Sequence, residues 1–404
     1  MHIPVVGIVA EYNPFHLGHL RHLELSRKLS GAQAAVVVLS SDFVQRGEPA
    51  LLDKWTRAQT ALACGADLVL ELPAVFSCHN AGVFANAAVD ILGSAGIITH
   101  LSFGVESPDW DMHKVIDILI EEPQPFKQFL KEYLEKGFSF VEARALALEK
   151  LAPGSSLHLR GSNNTLALSY MTRIIQKRWQ LVPVPVERTG SGYNDRTMSE
   201  LSSAAAVREA LADNKTEAAL AQTPPPSAAI IKDALSAGRA CLGQDRLWYL
   251  LRAVILRSDP NELAKYAEIG EGIEHRLKTA ALAANSFEEW TDACTSRRYP
   301  AGRIRRHGIH ILLGLRHWQN RAFQRLGPAY IRPLAMNGTG RQLLRAMRSR
   351  ASLPVITKCG AAARISAYAA QIMDYESTAC ELWEQTVPNG IFGAEHTKKA
   401  LITE

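Results

Sequence analysis

Short apolar runs separated by stretches of helical period constrain this chain more than any other feature. Val5-Val6-Gly7-Ile8-Val9-Ala10 is too short for a stable helix and rich in β-branched residues, as in a strand buried on both faces. Runs of the same kind follow at Ala34 to Leu39, Leu68 to Leu72 and Ile97 to Phe103, with segments of helical period such as Lys54 to Cys64 and Ala81 to Leu92 between them. This alternation predicts an α/β fold with a parallel sheet. Leu181 to Val186 contains Pro183 and Pro185, which have no N–H to donate, so it belongs at a sheet edge or is irregular.

After Thr223 the Pro224-Pro225-Pro226 break opens a long stretch of helical period with almost no strand signals, reaching about residue 350. The expected division is a catalytic domain over 1–215 and a mainly helical domain over 216–404. In the last fifty residues, Leu353-Pro354-Val355-Ile356 reads as a short strand and Ala361 to Ala370 as a helix. A length of 404 residues with 47% apolar and 21% charged residues fits a soluble protein with more than one core. No apolar run is long enough to cross a bilayer, so no membrane partner is expected. The six cysteines are far apart, with neither a CxxC pair nor Cys/His spacing for a metal, and no metal site is expected. Met1-His2-Ile3-Pro4 lacks the features of a signal peptide, which predicts reduced thiols and a cytoplasmic location.

Directly after the first apolar run comes Glu11-Tyr12-Asn13-Pro14-Phe15-His16-Leu17-Gly18-His19-Leu20, followed by the amphipathic Arg21 to Leu29. The N–H groups that open a helix lack intrahelical partners, and the helix dipole adds partial positive charge, so this turn favours phosphate. Gly18, having no Cβ, allows a close approach there. His16 and His19 stand three apart and project from one face of the first helical turn. Two such donors can stabilise charge that grows on the non-bridging oxygens as an oxygen attacks the α-phosphorus of ATP. A zinc role for the pair has no evident third ligand. The chain contains no GxxxxGK(S/T) loop, which excludes a P-loop mechanism, and no Gly-rich dinucleotide fingerprint follows the first strand.

The stretch Val6 to Leu20 resembles the opening of the bacterial tRNA(Met) cytidine acetate ligases, a branch of the HIGH-type nucleotidyltransferase superfamily. The likeness continues in order through Phe43-Val44-Gln45-Arg46-Gly47-Glu48-Pro49-Ala50, Asp53-Lys54-Trp55-Thr56-Arg57, Leu101-Ser102-Phe103-Gly104, Asn163-Asn164, Arg188 with Gly192-Tyr193, and Glu271-Gly272-Ile273-Glu274-His275-Arg276-Leu277. It implies a Rossmann-like nucleotidyltransferase (HIGH superfamily) parallel-sheet domain followed by a mainly α-helical C-terminal domain. The reaction implied begins with ATP and acetate forming acetyl-adenylate, with Mg²⁺ accompanying the nucleotide. The acetyl group then passes to N4 of the wobble cytidine of elongator tRNA(Met).

Carried over by position, the resemblance makes His16 and His19 catalytic. It assigns nucleotide binding to Gly7, Ile8, Val9, Ala10, Glu11, Tyr12, Asn13, Pro14, Phe15, His16, Leu17, Gly18, His19 and Leu20, joined by Gly104, Asn163 or Asn164 or both, and Arg188. Gly104 would let backbone approach the adenosine, an Asn would read an adenine edge or ribose hydroxyl, and Arg188 would hold phosphate. Two places depart from the family pattern. Leu201 to Arg208 resembles a Ser-Ser-Thr-x-Ile-Arg phosphate loop but has Ala205 where Thr is common, leaving Ser202, Ser203 and Arg208 as candidates. Ser41 and Asp42 stand where Gly and Asn are expected, and a carboxylate there would either help hold Mg²⁺ or repel phosphate.

From Arg297 to Arg350 the chain has 13 Arg and no Lys, Asp or Glu, so the other 350 residues carry a net −8. Uncompensated like charges favour a polyanionic partner, here RNA. Within Arg303 to Gln319 the apolar Ile304, Ile311, Leu312 and Leu315 predict one buried stripe, with Arg305, Arg306, Arg316 and His307 on the outer face. Arg297, Arg298, Arg303, Arg305, Arg306 and Arg316 are the expected tRNA contacts, and Tyr299, His307, His310, Trp318 and Phe323 are candidates for stacking on unpaired bases. Two other readings compete: an adenylyl or cytidylyl transferase acting on another small molecule, against which the arginine tract argues, and a non-catalytic nucleotide-sensing RNA-binding protein, against which the intact HxGH argues.

Overall fold

The computed structural model describes residues 3–107, 111–159, 161–188 and 203–403. Strand β1 is Val5–Ala10 and strand β2 is Ala34–Ser40, and both are sandwiched because their side chains enter two cores alternately. Ala34, Val36 and Val38 join the core containing the helix Ala81–Ser94, whereas Ala35, Val37 and Leu39 join the core beneath the helices Leu17–Ser30 and Lys54–Ala63. Burial on both faces is why these strands read as continuous apolar runs.

A short antiparallel pair, β3 (Phe43–Val44) and β4 (Glu48–Pro49), stands apart. The main sheet adds β5 (Leu68–Leu72), β6 (His100–Val105), β7 (Val182–Glu187), β8 (Pro333–Met336) and β9 (Leu401–Ile402), in the order β7-β6-β1-β2-β5-β8-β9. Every neighbouring pair is parallel except β5 with β8. The Pro-bearing β7 lies at the edge, with Pro183 and Pro185 opposite Leu101 and Phe103.

The second half of the chain is mainly helical, but it also completes the sheet through β8 and β9, neither of which is evident as an apolar run. The expected strand at Leu353–Ile356 is reduced to an isolated bridge between Ile331 and Val355. The expected helix at Ala361–Ala370 is broken: a short helix Ala362–Ile365 ends at Ser366, whose hydroxyl then caps the long helix Ala367–Glu384 by accepting from the Ala369 N–H at 3.0 Å.

The last fifty residues reach the sheet through buried charge. Lys54 Nζ lies 2.7 Å from Glu71, 2.5 Å from Glu376 and 2.9 Å from Glu395, all four fully buried, and Arg332 pairs with Glu71 and Glu395. Burial pulls the Lys54 ammonium toward neutrality, but Glu376, Glu395 and Glu71 outweigh it and hold its pKa well above the ordinary value. Burial pushes Glu71 up to about 7, against the pull of Lys54 and Arg332. Ser41 and Asp42 belong to this cluster and not to a phosphate site. Ser41 Oγ donates to Glu376 at 2.5 Å, and Asp42 accepts the Lys54 N–H at 2.6 Å with no exposed surface. Neither role considered for the Asp42 carboxylate, metal ligand or phosphate repellent, is available to it there.

The helix Ala301–Leu313 docks on the β3–β4 turn, where Gly47 has φ +77° and a Cβ would fall 2.4 Å from the Arg306 backbone nitrogen. Gly31 also has a left-handed φ, +63°, but faces open space. Gly31→Ala therefore costs only backbone strain, about 1 kcal/mol. Gly47→Ala adds a clash with backbone and should cost roughly 1–3 kcal/mol more. Denaturant unfolding of the two variants checks this, and equal losses would contradict it.

Candidate active site

The sheet order reverses at β1, with β2 and β5 on one side and β6 and β7 on the other, so a crevice opens beyond the carboxyl ends of β1 and β6. A pocket occupies that position. Its floor is Ile8, Val9 and Ala10 of β1 with Phe103 and Gly104 of β6. One wall is the opening of the helix Leu17–Ser30 with His16, His19 and His22; the other carries Asn163 and Tyr170 of the helix Ser162–Lys177 and Arg188 just beyond β7. Ser203, Ala204, Ala205 and Arg208 of the helix Ala204–Ala212 close it.

His16 and His19 are side by side, with ring centroids 3.7 Å apart and planes inclined by 30°. They cap their own helix: the Gly18 N–H donates to His16 Nδ1 at 3.0 Å, and the His16 N–H donates to His19 Nδ1 at 3.3 Å. Because both Nδ1 atoms accept, each neutral ring must carry its proton on Nε2. Burial, helped by the Arg188 guanidinium, lowers the His16 pKa to about 3. Burial takes His19 well below its usual value, with His16 and Arg188 adding to it. Both are therefore neutral Nε2–H donors at neutral pH. The Tyr12 ring lies edge-on to His19 at 4.9 Å and braces it.

The other expected site residues separate into those that line the pocket and those that build it. Gly7 is structural, since a Cβ would strike Leu92 at 2.8 Å and Ile98 at 3.1 Å. The space spared by Gly18 is filled by the His16 ring, 2.9 Å from where its Cβ would be, and not by a ligand. Gly104 likewise makes room for the Arg188 stem, with contacts of 3.1 and 3.2 Å. Asn163 lines the pocket and donates to Glu106 at 2.6 Å, whereas Asn164 is buried, outside the lining, and engaged by the Glu106 N–H at 2.9 Å and the His158 carbonyl at 3.1 Å. Glu11, Tyr12 and Asn13 reach the lining, and the Asn13 side chain accepts from the Leu51 N–H at 2.7 Å. Pro14, Phe15, Leu17 and Leu20 do not line it. Phe15 is core, Leu20 packs on that core, and the Leu17 N–H donates to Gln222 O at 3.0 Å. Ser203 caps the helix Ala204–Ala212 through the Ala206 N–H at 3.2 Å, and Arg208 donates to Asn13 O at 2.7 Å and to Glu48 at 3.0 Å. Ser202, Gly192 and Tyr193 lie outside the described residues.

Residues 3–397 match the model of the HIGH nucleotidyl transferase family. The tRNA(Met) cytidine acetate ligase of Acetivibrio thermocellus is 36% identical over 364 residues, covering 88% of both chains. That of Caldanaerobacter subterraneus is 37% identical over 361 residues, covering 87% of this chain and 88% of its own. The chain belongs to the HIGH nucleotidyltransferases, in the tRNA(Met) cytidine acetate ligase family. The crystal structure of Thermotoga maritima TmcAL without ligand superposes with a TM-score of 0.95 at 29% identity over 99% of each chain. The form bound with alpha-thio ATP gives 0.91 over 99% of this chain and 100% of that one.

A HIGH nucleotidyltransferase site needs its turn held from behind, and Arg57 supplies this. Its buried guanidinium donates to the carbonyls of Glu11 at 2.8 Å, Ser41 at 2.7 Å and Leu52 at 2.9 Å, so it fixes the end of β1 against its neighbours. Sequence reasoning quoted Arg57 within a motif without giving it a task, because carbonyl acceptors leave no trace in residue types. His22 was also passed over, although it continues the three-residue spacing of His16 and His19; it lines the pocket, and burial lowers its pKa to about 4. Among the described residues no group of three or more His, Cys, Asp or Glu is placed to hold a metal, and no helix is long and apolar enough to cross a membrane.

The arginine tract of this HIGH nucleotidyltransferase differs from the expectation, because acids from elsewhere in the chain fold back onto it. Arg298 pairs with Glu271 at 2.6 Å, Arg316 with Glu262 at 2.6 Å, and Arg297 approaches Glu142 at 3.9 Å while covering the Phe138 ring. Arg303 lies over Tyr299, 4.5 Å from its centroid, and Arg306 donates to Gln45 O at 3.3 Å. Arg305 and Arg306 are half-buried, and His307 is fully buried, so the supposed outer face is largely a packing face. Tyr299, His310 and Phe323 are buried too, which leaves Trp318, 62% exposed, as the available stacking residue of the five. Exposed Arg321 and Arg325 lie three and seven residues beyond it, on the same side of the helix His317–Leu326.

The neutral histidines give the fold a defined response to acid. Near pH 6.5 the unfolded chain takes up a proton on His16 that the folded chain refuses until about pH 3, so stability is complete above pH 6.5 and falls as the pH drops toward 3. At pH 5 the loss from His16 alone is about 2 kcal/mol. Denaturant unfolding should show His16→Asn, which keeps a cap acceptor but does not titrate, losing about that much less than the parent between pH 7 and pH 5. An identical pH dependence would contradict the assignment.

Proposed function

We propose that this protein is an ATP-dependent ligase that activates acetate as acetyl-adenylate and acetylates N4 of the wobble cytidine of elongator tRNA(Met). The observation that carries the reading is the pair of neutral imidazoles, each with its proton fixed on Nε2, at a pocket on the switch point of a nucleotidyltransferase sheet. An acetate oxygen forms a bond to the α-phosphorus of ATP as the bond to the bridging oxygen breaks, and pyrophosphate leaves with that electron pair. Charge then grows on the non-bridging oxygens, and the Nε2–H donors of His16 and His19 stabilise it without accepting or losing a proton. The cytidine N4 next attacks the acetyl carbonyl, AMP leaves, and N4 loses a proton. Arg188 supplies fixed positive charge on the wall opposite the histidines. Mg²⁺ would arrive on the triphosphate and neutralise its charge. It needs few protein ligands when it is carried by the nucleotide's phosphates.

For RNA the exposed face of Trp318, Arg321 and Arg325 is better suited than the paired arginines before it, since it offers a ring for stacking and two cations without acidic partners among the described residues. Residues 1–215 carry the acetate-activating site, and the helical part within 216–404 supplies this outer tRNA-binding face.

Acetate should drive ATP–pyrophosphate exchange, and His16→Ala or His19→Ala should lower it about 100-fold or more. Nucleoside mass spectrometry of elongator tRNA(Met) incubated with protein, ATP and acetate should show N4-acetylcytidine. Exchange driven by a different acid or phosphate would favour the small-molecule transferase instead.

In the Arg321→Ala/Arg325→Ala double variant, the slope of log affinity for tRNA against log salt should become shallower by about 2, with acetate-dependent exchange unchanged. An unaltered slope would remove this face from the interface.

A further inference from the structure

A second cavity, of about 940 Å³, adjoins the pocket. The helix Ala81–Ser94 separates the two, presenting Val83 to the cavity and Phe84 to the pocket, and Thr165 and Leu166 divide in the same way. Five arginines and three carboxylates line the cavity. Arg173 is held by Asp90 and Arg298 by Glu271, so these cations are already answered. Arg144 is not: it has no hydrogen bond or ion pair among the described residues, and burial alone lowers its pKa. Arg306 adds a buried Nε with no partner among the described residues.

A half-buried guanidinium without a counter-charge favours an anion beside it. Two further features say which kind. The helix Ala81–Ser94 opens onto the same space through Asn80, Ala81 and Gly82, adding the positive end of a 14-residue dipole. At the start of the helix Phe140–Leu151, Phe140 is 55% exposed although it lines a cavity, an aromatic surface fit for stacking a base. Cation, helix N-terminus and bare ring together suit a nucleotide, and the shared wall places it beside the reacting one.

We propose that this cavity takes the nucleotide adjoining the reacting cytidine in the anticodon loop, with its base against Phe140 and its phosphate between Arg144 and the opening turn of the helix Ala81–Ser94. The proposal rests on the ligase reading above. It divides the work between two compartments: one holds the acyl-adenylate, and the other grips the RNA strand so that N4 is presented from a fixed direction.

The test compares full-length Phe140→Ala and Arg144→Gln with the parent in two assays, acetate-dependent ATP–pyrophosphate exchange and acetylation of an anticodon stem-loop RNA. Exchange should stay within twofold while KM for the RNA rises at least tenfold, and Phe140→Trp should recover most of the loss. A p-benzoylphenylalanine at position 140 should crosslink to the anticodon loop, and millimolar free CMP should not prevent it. Unchanged KM, exchange falling in step with RNA turnover, crosslinks outside the loop, or full protection by CMP would each overturn the proposal. A parent protein without acetate-dependent exchange would instead sink the ligase reading, and the crosslink would still report on what the cavity holds.

Discussion

At the start of the helix Leu17–Ser30, the N–H groups of Gly18 and of the capping His16 are each satisfied by an imidazole nitrogen, and the proposed chemistry of the site depends on that choice. Helices usually begin with Ser, Thr, Asp or Asn, whose oxygens cap the free N–H groups. An Asp in this position would cap well and repel a triphosphate. A histidine caps with one nitrogen and keeps an N–H on the other, so the structural bond and the proposed donor belong to the same ring. The cap also selects the tautomer, because a ring protonated on Nδ1 would lose the Gly18 contact. Gly18 is required for the same reason: the capping ring occupies the place of its Cβ. The spacing of the HxGH motif is thus a packing rule, whatever it contributes to the proposed chemistry.

Such a turn must be held rigidly, and the support comes from behind. Arg57 gathers the carbonyls of Glu11, Ser41 and Leu52 around the end of β1. Close by, Lys54 and Arg332 bind Glu71, Glu376 and Glu395 with almost no contact with water. Buried ion pairs are weak evidence for stability, because desolvation offsets much of the Coulomb gain. What this cluster supplies is register. Glu376 and Glu395 come from the C-terminal fifty residues, and only one docking of that tail answers both Lys54 and Arg332.

The alternation of apolar runs and helical segments made the sheet legible, since strands buried on both faces have no polar positions to obscure them. The HxGH turn was legible because it follows the first such run directly. Strands β8 and β9 were hidden: at four and two residues they are too short for periodicity to register, and they are strands only because β5 offers a free edge to β8 and β8 in turn offers one to β9. The reason for glycine at two pocket-lining positions lies in neighbours that are distant in or hidden by the sequence. At Gly104 and Gly18 the neighbour is a side chain of the same site, Arg188 in one case and His16 in the other. Asn163 and Asn164 show the limit of residue type: adjacent and chemically identical, one lines the pocket and the other is spent inside the fold.

The arginine tract shows why charge counted along a sequence misplaces an interface. Thirteen cations without a local acid looked uncompensated, but the surplus of negative charge in the rest of the chain was the clue to where their partners lie. Glu71, Glu142, Glu262, Glu271 and Glu395 fold back onto the tract and pair with Arg297, Arg298, Arg316 and Arg332. Polyanion affinity depends on the cations left over and on whether they face solvent or an open cleft. By that criterion Arg144, which lies outside the tract and has no acidic partner among the described residues, carries more electrostatic demand than Arg332, which lies within it and is answered twice.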